Sequence, residues 1–185
     1  MSAVAPAVPW PAGYRTRRVL ARPLHADDLN FLTALHADPG VMRHVGDALG
    51  LDAAAAVARR LLRAAQRTPP SMYAWMLQTL DAAVPIGLMT VAPTADPARG
   101  ELGLMFDPRQ SGCGYATEVV AALQQQVHAL GGVLDARHRP GNVAVRQLML
   151  RLGFLPRAGE GGFVGWRSVS GGAAGGAVAG RQRVI

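Results

Sequence analysis

Apolar positions along this chain recur in two rhythms. In residues 27–37 (DDLNFLTALHA), Leu29, Leu32 and Leu35 fall three apart and form one helical stripe. Asp27 or Asp28 can cap its start, and Pro39-Gly40 stops it. Asp52 is placed to cap a second helix over residues 53–67, with Val57, Leu61 and Leu62 turned inward and Arg59, Arg60 and Arg63 left in solvent. Pro69-Pro70 closes that segment. A third helix is predicted over residues 116–130, where Val119, Val120, Leu123, Val127 and Leu130 keep helical spacing, and Gly131-Gly132 ends it. Residues 142–152 form a fourth amphipathic segment, closed by Gly153.

Between these helices lie shorter apolar runs. Residues 17–23 (RRVLARP), 73–80 (YAWMLQTL), 85–91 (PIGLMTV), 101–106 (ELGLMF), 133–137 and 163–169 read as strands. The runs at 73–80 and 85–91 flank a turn at residues 81–83 and predict a hairpin. The order of elements predicts an α+β fold of the three-layer α/β type, with helices flanking a mixed central sheet. One domain is expected over residues 15–169. Residues 1–14, rich in Ala and Pro, are expected to form a loose arm, and residues 170–185 (beginning SGGAAGG) a disordered tail.

Composition narrows the function classes. The chain has 185 residues, half of them hydrophobic, which suffices for one substantial core. The net charge of +7 favours anionic ligands. Every basic residue is arginine, and the arginines are scattered. A nucleic-acid surface would cluster them and interleave aromatics, which make up only 5% here. Cys113 is the sole cysteine, so no disulfide can form within the chain. Pro6 and Pro9 break the apolar start, and no run is long enough to span a bilayer. A cytoplasmic protein without a membrane partner is expected.

The informative segment is FDPRQSGCGYATEVV, residues 106–120. A strand ends, a loop with Gly112 and Gly114 follows, and a helix begins. Glycines let main-chain N–H groups converge and a ligand approach closely. The helix start adds unsatisfied N–H groups and partial positive charge. Such a turn suits a diphosphate, and Arg109 can add a full charge at its mouth. A tight strand-to-helix connection would explain the same glycines, so the loop alone does not decide.

Its context does. Arg109-x-x-Gly112-x-Gly114 resembles the R/Q-x-x-G-x-G/A signature of the GNAT N-acyltransferase superfamily. Asn142 and the helix ending in Arg151-Leu152-Gly153-Phe154 resemble that superfamily's second segment. Residues 20–45 resemble the opening of the branch that acetylates the N-termini of ribosomal proteins. The resemblance covers residues 17–169. It implies a sheet splayed between residues 101–106 and 133–137 around the pantetheine arm of acetyl-CoA, with no metal. The backbone of Leu104, Met105 and Phe106 would pair with pantetheine, and Asn142 would bond near it. The diphosphate would rest on Gly112, Cys113, Gly114, Tyr115 and Ala116, with Thr117 and Arg109 assisting. Gly103, inside a strand, independently suggests a bulge or a close ligand approach. The implied acceptor is a primary amine, either a peptide N-terminus or a small molecule. A homodimer is common among similar proteins. A module that binds acyl-CoA without turnover is the alternative.

Direct attack on a thioester needs a neutral amine, hence a base. Glu101 is the first candidate, sharing a strand face with Gly103 and Met105. Glu160 is a weaker one because glycines surround it. His138, set between Arg137 and Arg139, reads as a surface residue. Many GNAT enzymes place a Tyr or Ser acid in the helix after the Asn, but the matching position here is Val145, which cannot donate a proton. Cys113 has no adjacent base that would make it a nucleophile. Tyr73, Trp75 and Trp166 read as packing residues.

Overall fold

A computed structural model of the protein describes residues 10–170. Eight strands form one sheet: β1 (Tyr14–Arg15), β2 (Val19–Pro23), β3 (Tyr73–Thr79), β4 (Pro85–Pro93), β5 (Arg99–Phe106), β6 (Val133–His138), β7 (Leu155–Arg157) and β8 (Val164–Arg167). Their spatial order is β1-β2-β3-β4-β5-β6-β8-β7. Every neighbouring pair is antiparallel except β5 and β6, which run parallel. The expected mixed sheet is therefore present.

Five helices cover it: α1 (Leu29–Ala37), α2 (Pro39–Met42), α3 (Leu51–Gln66), α4 (Tyr115–Ala129) and α5 (Val143–Arg151). One apolar cluster joins Leu32, Leu35, Ala58 and Leu62 of α1 and α3 to Met76 and Leu88 of the sheet, with Met105 packed against it. A second joins Val119, Leu123 and Val127 of α4 and Leu148 and Met149 of α5 to Leu102, Leu134, Ala136 and Trp166. Alternation along the strands separates the two clusters to opposite faces, giving three layers.

Several local expectations need correction. Asp52 does not cap α3; Gly50 holds that position with extended backbone, and Asp52 lies in the first turn, where its charge still complements the helix dipole. Pro39 ends α1 as expected but also opens α2, because Asp38 accepts from the Val41 N–H at 2.9 Å. Residues 10–14, assigned to a loose arm, are tied down. Tyr14 pairs with β2, is buried, and donates its hydroxyl proton to the Val119 carbonyl at 2.8 Å. Pro11 accepts from the Trp75 indole at 3.1 Å. The expected looseness of residues 1–9 and 171–185 falls outside the described residues. Trp75 and Trp166 are buried and Tyr73 packs on Trp10, as the packing reading requires.

Candidate active site

The parallel pair β5–β6 sets the geometry. Their register runs from Arg99↔Val133 to Leu102↔Ala136 and stops there. Beyond Leu102, β5 continues to Phe106 against β4 alone, and β6 continues to His138 against β8 alone. The sheet parts at this point. Residues 103–106 therefore have one edge paired with β4 and one edge facing the gap.

A cavity of about 340 Å³ occupies the gap. Leu88, Thr90, Glu101, Met105 and Arg137 line it on the α1–α3 face. Leu102, Leu104, Ala136, His138, Asn142 and Leu148 line it on the α4–α5 face. Residues of both faces border one space, so the cavity passes through the sheet. Gly103 lies at its waist. The β4–β5 register runs unbroken through Thr90↔Gly103, so the glycine marks no bulge. A Cβ there would stand 2.5 Å from Thr90 Oγ1, so any larger residue would have to displace the cross-strand threonine's hydroxyl.

The glycine loop sits at the C-terminal end of β5. Asp107 caps a 3-10 turn, Pro108–Gln110, and leads into Gly112 (φ +80°) and Gly114 (φ +79°). Both lie in the left-handed region that disfavours a side chain. No heavy atom beyond the adjoining chain lies within 4 Å of a Cβ built on Gly112, so the turn is open on that side. Gly114 caps α4, which makes Tyr115 the first helical residue, one before the predicted start at Ala116. The first N–H of the helix to find a helical partner is that of Glu118, on the Gly114 carbonyl at 3.2 Å. The N–H groups ahead of it belong to the unsatisfied first turn.

Three guanidinium groups surround this turn. Arg109 is largely solvent-exposed and pairs with Asp107 at 2.6 Å. The hydrogen bond from that guanidinium holds the Asp107 carboxyl below the usual carboxylate range. Arg18, absent from the expected set, lies 4.7 Å over the Tyr115 ring and beside Gly114. Glu118 holds it there, accepting from Thr16 Oγ1, Arg18 N and Arg18 Nε at 2.6, 2.7 and 2.8 Å. Arg151 donates to Thr117 Oγ1 at 3.3 Å. Three cations against two carboxylates leave the turn positive. Cys113 is exposed, with its thiol 3.8 Å from the Ser111 carbonyl.

Of the expected residues, Glu101, Leu104, Met105 and Asn142 border the cavity. Glu101 forms an ion pair with Arg137, whose Nε lies 2.7 Å from its Oε1, at the cavity's side on the α1–α3 face. Asn142 is the N-cap of α5, its Oδ1 accepting from Val145 N at 3.1 Å, so that oxygen is already engaged. Glu160 is exposed in the turn before β8 and does not border the cavity. His138 contradicts its reading as a surface residue: it is 4% exposed and borders the cavity. Strand β6 runs one residue further than predicted, which puts His138 in the inward alternation of Leu134 and Ala136. That alternation was the available signal. His44, Val45 and Phe163 also line the cavity and carried no sequence signal. Among the described residues no cluster of His, Cys, Asp and Glu could hold a metal ion, and no helix is long and apolar enough to cross a membrane.

Comparison with known proteins places this architecture. Residues 18–155 match the family described as acetyltransferase (GNAT) domain. An acetyltransferase structure from Agrobacterium tumefaciens is 22% identical over 91% of this chain and 99% of that one, with a TM-score of 0.72. A GNAT-family acetyltransferase from Bacillus anthracis is 14% identical over 84% of this chain and 95% of that one, TM-score 0.68. The microcin C7 self-immunity acetyltransferase MccE, solved with acetyl-CoA and AMP, is 11% identical over 88% and 98%, TM-score 0.70. No curated protein matches the chain in sequence.

Proposed function

The chain belongs to the GNAT acetyltransferase family, and from that premise we propose that it transfers an acetyl group from acetyl-CoA to a primary amine by direct attack. The observation that carries this is the passage through the sheet where β5 and β6 part, with the positive glycine turn at its end. The diphosphate of acetyl-CoA rests on the N–H groups of Gly112, Cys113, Gly114, Tyr115 and Ala116, with Thr117 and Arg109 assisting. Arg18 and Arg151 add charge at the same turn. The solved complex of MccE with acetyl-CoA supports the choice of donor. Pantetheine pairs with the free edge of β5 at Leu104, Met105 and Phe106, beside Asn142. One N–H of that edge receives the developing oxyanion.

The amine enters from the α1–α3 face, where Glu101 takes the proton of its ammonium form. Glu160, away from the cavity, has no part in this step. The neutral nitrogen then attacks the thioester carbonyl, and the tetrahedral adduct expels the CoA thiolate. The resemblance of residues 20–45 to the ribosomal-protein branch favours a peptide N-terminus as acceptor over a small amine. Val145, where related enzymes carry a proton donor, favours a second reading as an acyl-CoA-binding module without turnover.

Thiol release from acetyl-CoA, measured with a panel of peptides and small amines, separates these readings. The enzyme reading expects amine-dependent thiol release. Saturable CoA binding with no release for any amine would leave only the module.

A further inference from the structure

Two buried nitrogens on the α4–α5 face have no hydrogen-bond partner: His138 Nε2 and Trp166 Nε1. Their rings stack, with centroids 6.0 Å apart and planes 19° from parallel. Buried polar atoms of this kind are rare in native proteins and each calls for a reason. His138 borders the cavity at the point where the sheet parts; Trp166 stands behind it, opposite Ala136 in the β6–β8 register.

The other imidazole nitrogen identifies the tautomer. His138 Nδ1 lies 2.7 Å from the Arg139 carbonyl oxygen. A carbonyl oxygen only accepts, so Nδ1 carries the hydrogen. In the neutral ring Nε2 is then a lone pair, facing no donor. Among the described residues that border the cavity, no carboxylate lies on the His138 face; Glu101 and Arg137 pair with each other on the opposite face, with His44 also on the cavity wall. Arg139 follows His138, and the α5 residues nearest the cavity, Asn142, Val145, Leu148 and Met149, do not titrate. An unengaged imidazole lone pair, itself covered, therefore stands in the cavity wall on the α4–α5 face, where Val145 leaves no hydroxyl.

We propose that His138 carries a proton from the attacking nitrogen to the departing sulfur. This rests on the acetyl transfer set out above. Attack by the neutral amine forms the C–N bond and leaves that nitrogen positive, with one proton too many for an amide. His138 Nε2, uncovered by a small tilt of the ring toward the cavity, accepts this proton. The imidazolium keeps its Nδ1–H bond to the Arg139 carbonyl, and its charge lies against the Trp166 ring face. The C–S bond breaks with its electron pair on sulfur, Nε2 returns the proton, and CoA leaves as the thiol. The nitrogen and the sulfur are bound to the same carbon of the adduct, so one imidazole can serve both. The ammonium's earlier proton goes to Glu101 and then to solvent, which closes the proton count.

The test compares wild type with His138→Phe, which keeps a stacked ring, and His138→Ala, which opens room for an added base. Acetyl-CoA binding is measured by titration calorimetry and turnover by thiol release with an amine that the wild type accepts. His138→Phe should lose about 10²-fold or more in kcat while its affinity for acetyl-CoA stays within about threefold. Added imidazole should restore turnover to His138→Ala and leave His138→Phe unchanged. A merely structural role for His138 predicts no such rescue. Wild-type turnover in His138→Phe, or no rescue of a natively melting His138→Ala, overturns the proton carrier alone. Wild-type binding without turnover for any amine overturns the acetyl transfer itself.

Discussion

Asp135 accepts from Arg157 and Arg167 at 2.8 Å each and from Arg99, and so ties β5, β6, β7 and β8 together. Burial alone would raise its pKa, but hydrogen bonds from Arg167, Arg99 and Arg157 outweigh it and hold the group at about 2. A carboxylate depressed in the folded state stabilises at any pH above its unfolded value near 3.8, and that contribution is lost as pH falls toward 2. The loss is on the order of 1–2 kcal/mol after screening of the partly exposed arginines. Thermal melts of wild type between pH 5 and pH 2 should fall more steeply than those of Asp135→Asn. The same substitution at neutral pH should cost about 3 kcal/mol, because three guanidinium groups would then face one another. At the cavity, Glu101→Gln should lower kcat by about 10²-fold with acetyl-CoA affinity unchanged, which titration calorimetry beside steady-state kinetics would show. The place of Glu101 beside the cavity was legible because strand alternation and the resemblance both pointed to it. His138 was not, because its place depends on one further residue of β6, and strand ends are the least certain part of any sequence reading.

The elements carry a different lesson. Helix α4 was legible from its apolar spacing and its glycine boundaries, and the structure moves its start by one residue. The clasp that seats it was not. Tyr14 reaches the Val119 carbonyl across 105 positions, and Glu118 gathers Thr16 and Arg18 from the turn before β2. No local pattern encodes such a long-range bond. Burial pushes the Tyr14 hydroxyl to ionise far above its ordinary value, so it remains a donor throughout the accessible pH range. Tyr14→Phe should lower stability by about 1 kcal/mol, the usual worth of one such bond, read from a urea melt. The short strands β1 and β7 escaped notice for the same reason: two and three residues show no alternation, and the sheet's edges alone define them.

At the scale of the molecule, residues of both faces of the sheet line the cavity, so in the proposed reaction donor and acceptor would reach the thioester from opposite sides. In that reaction both would be bound at once. Initial-rate plots for acetyl-CoA and amine should therefore intersect; parallel lines would mean an acyl-enzyme, with exposed Cys113 as its only thiol. The three-layer fold was legible from the order of elements. The passage was not, since it arises where a parallel register ends between strands separated by the whole of α4. The positive glycine turn remains the foundation of the account. Its most direct test is titration of acetyl-CoA into wild type and Gly112→Val in a calorimeter. A valine forced to φ +80° costs about 1–2 kcal/mol or moves the turn, so the account predicts saturable heat for wild type and affinity weakened about tenfold or more in the variant, with the fold retained by circular dichroism. No heat for wild type, or equal affinity in both proteins, would contradict it.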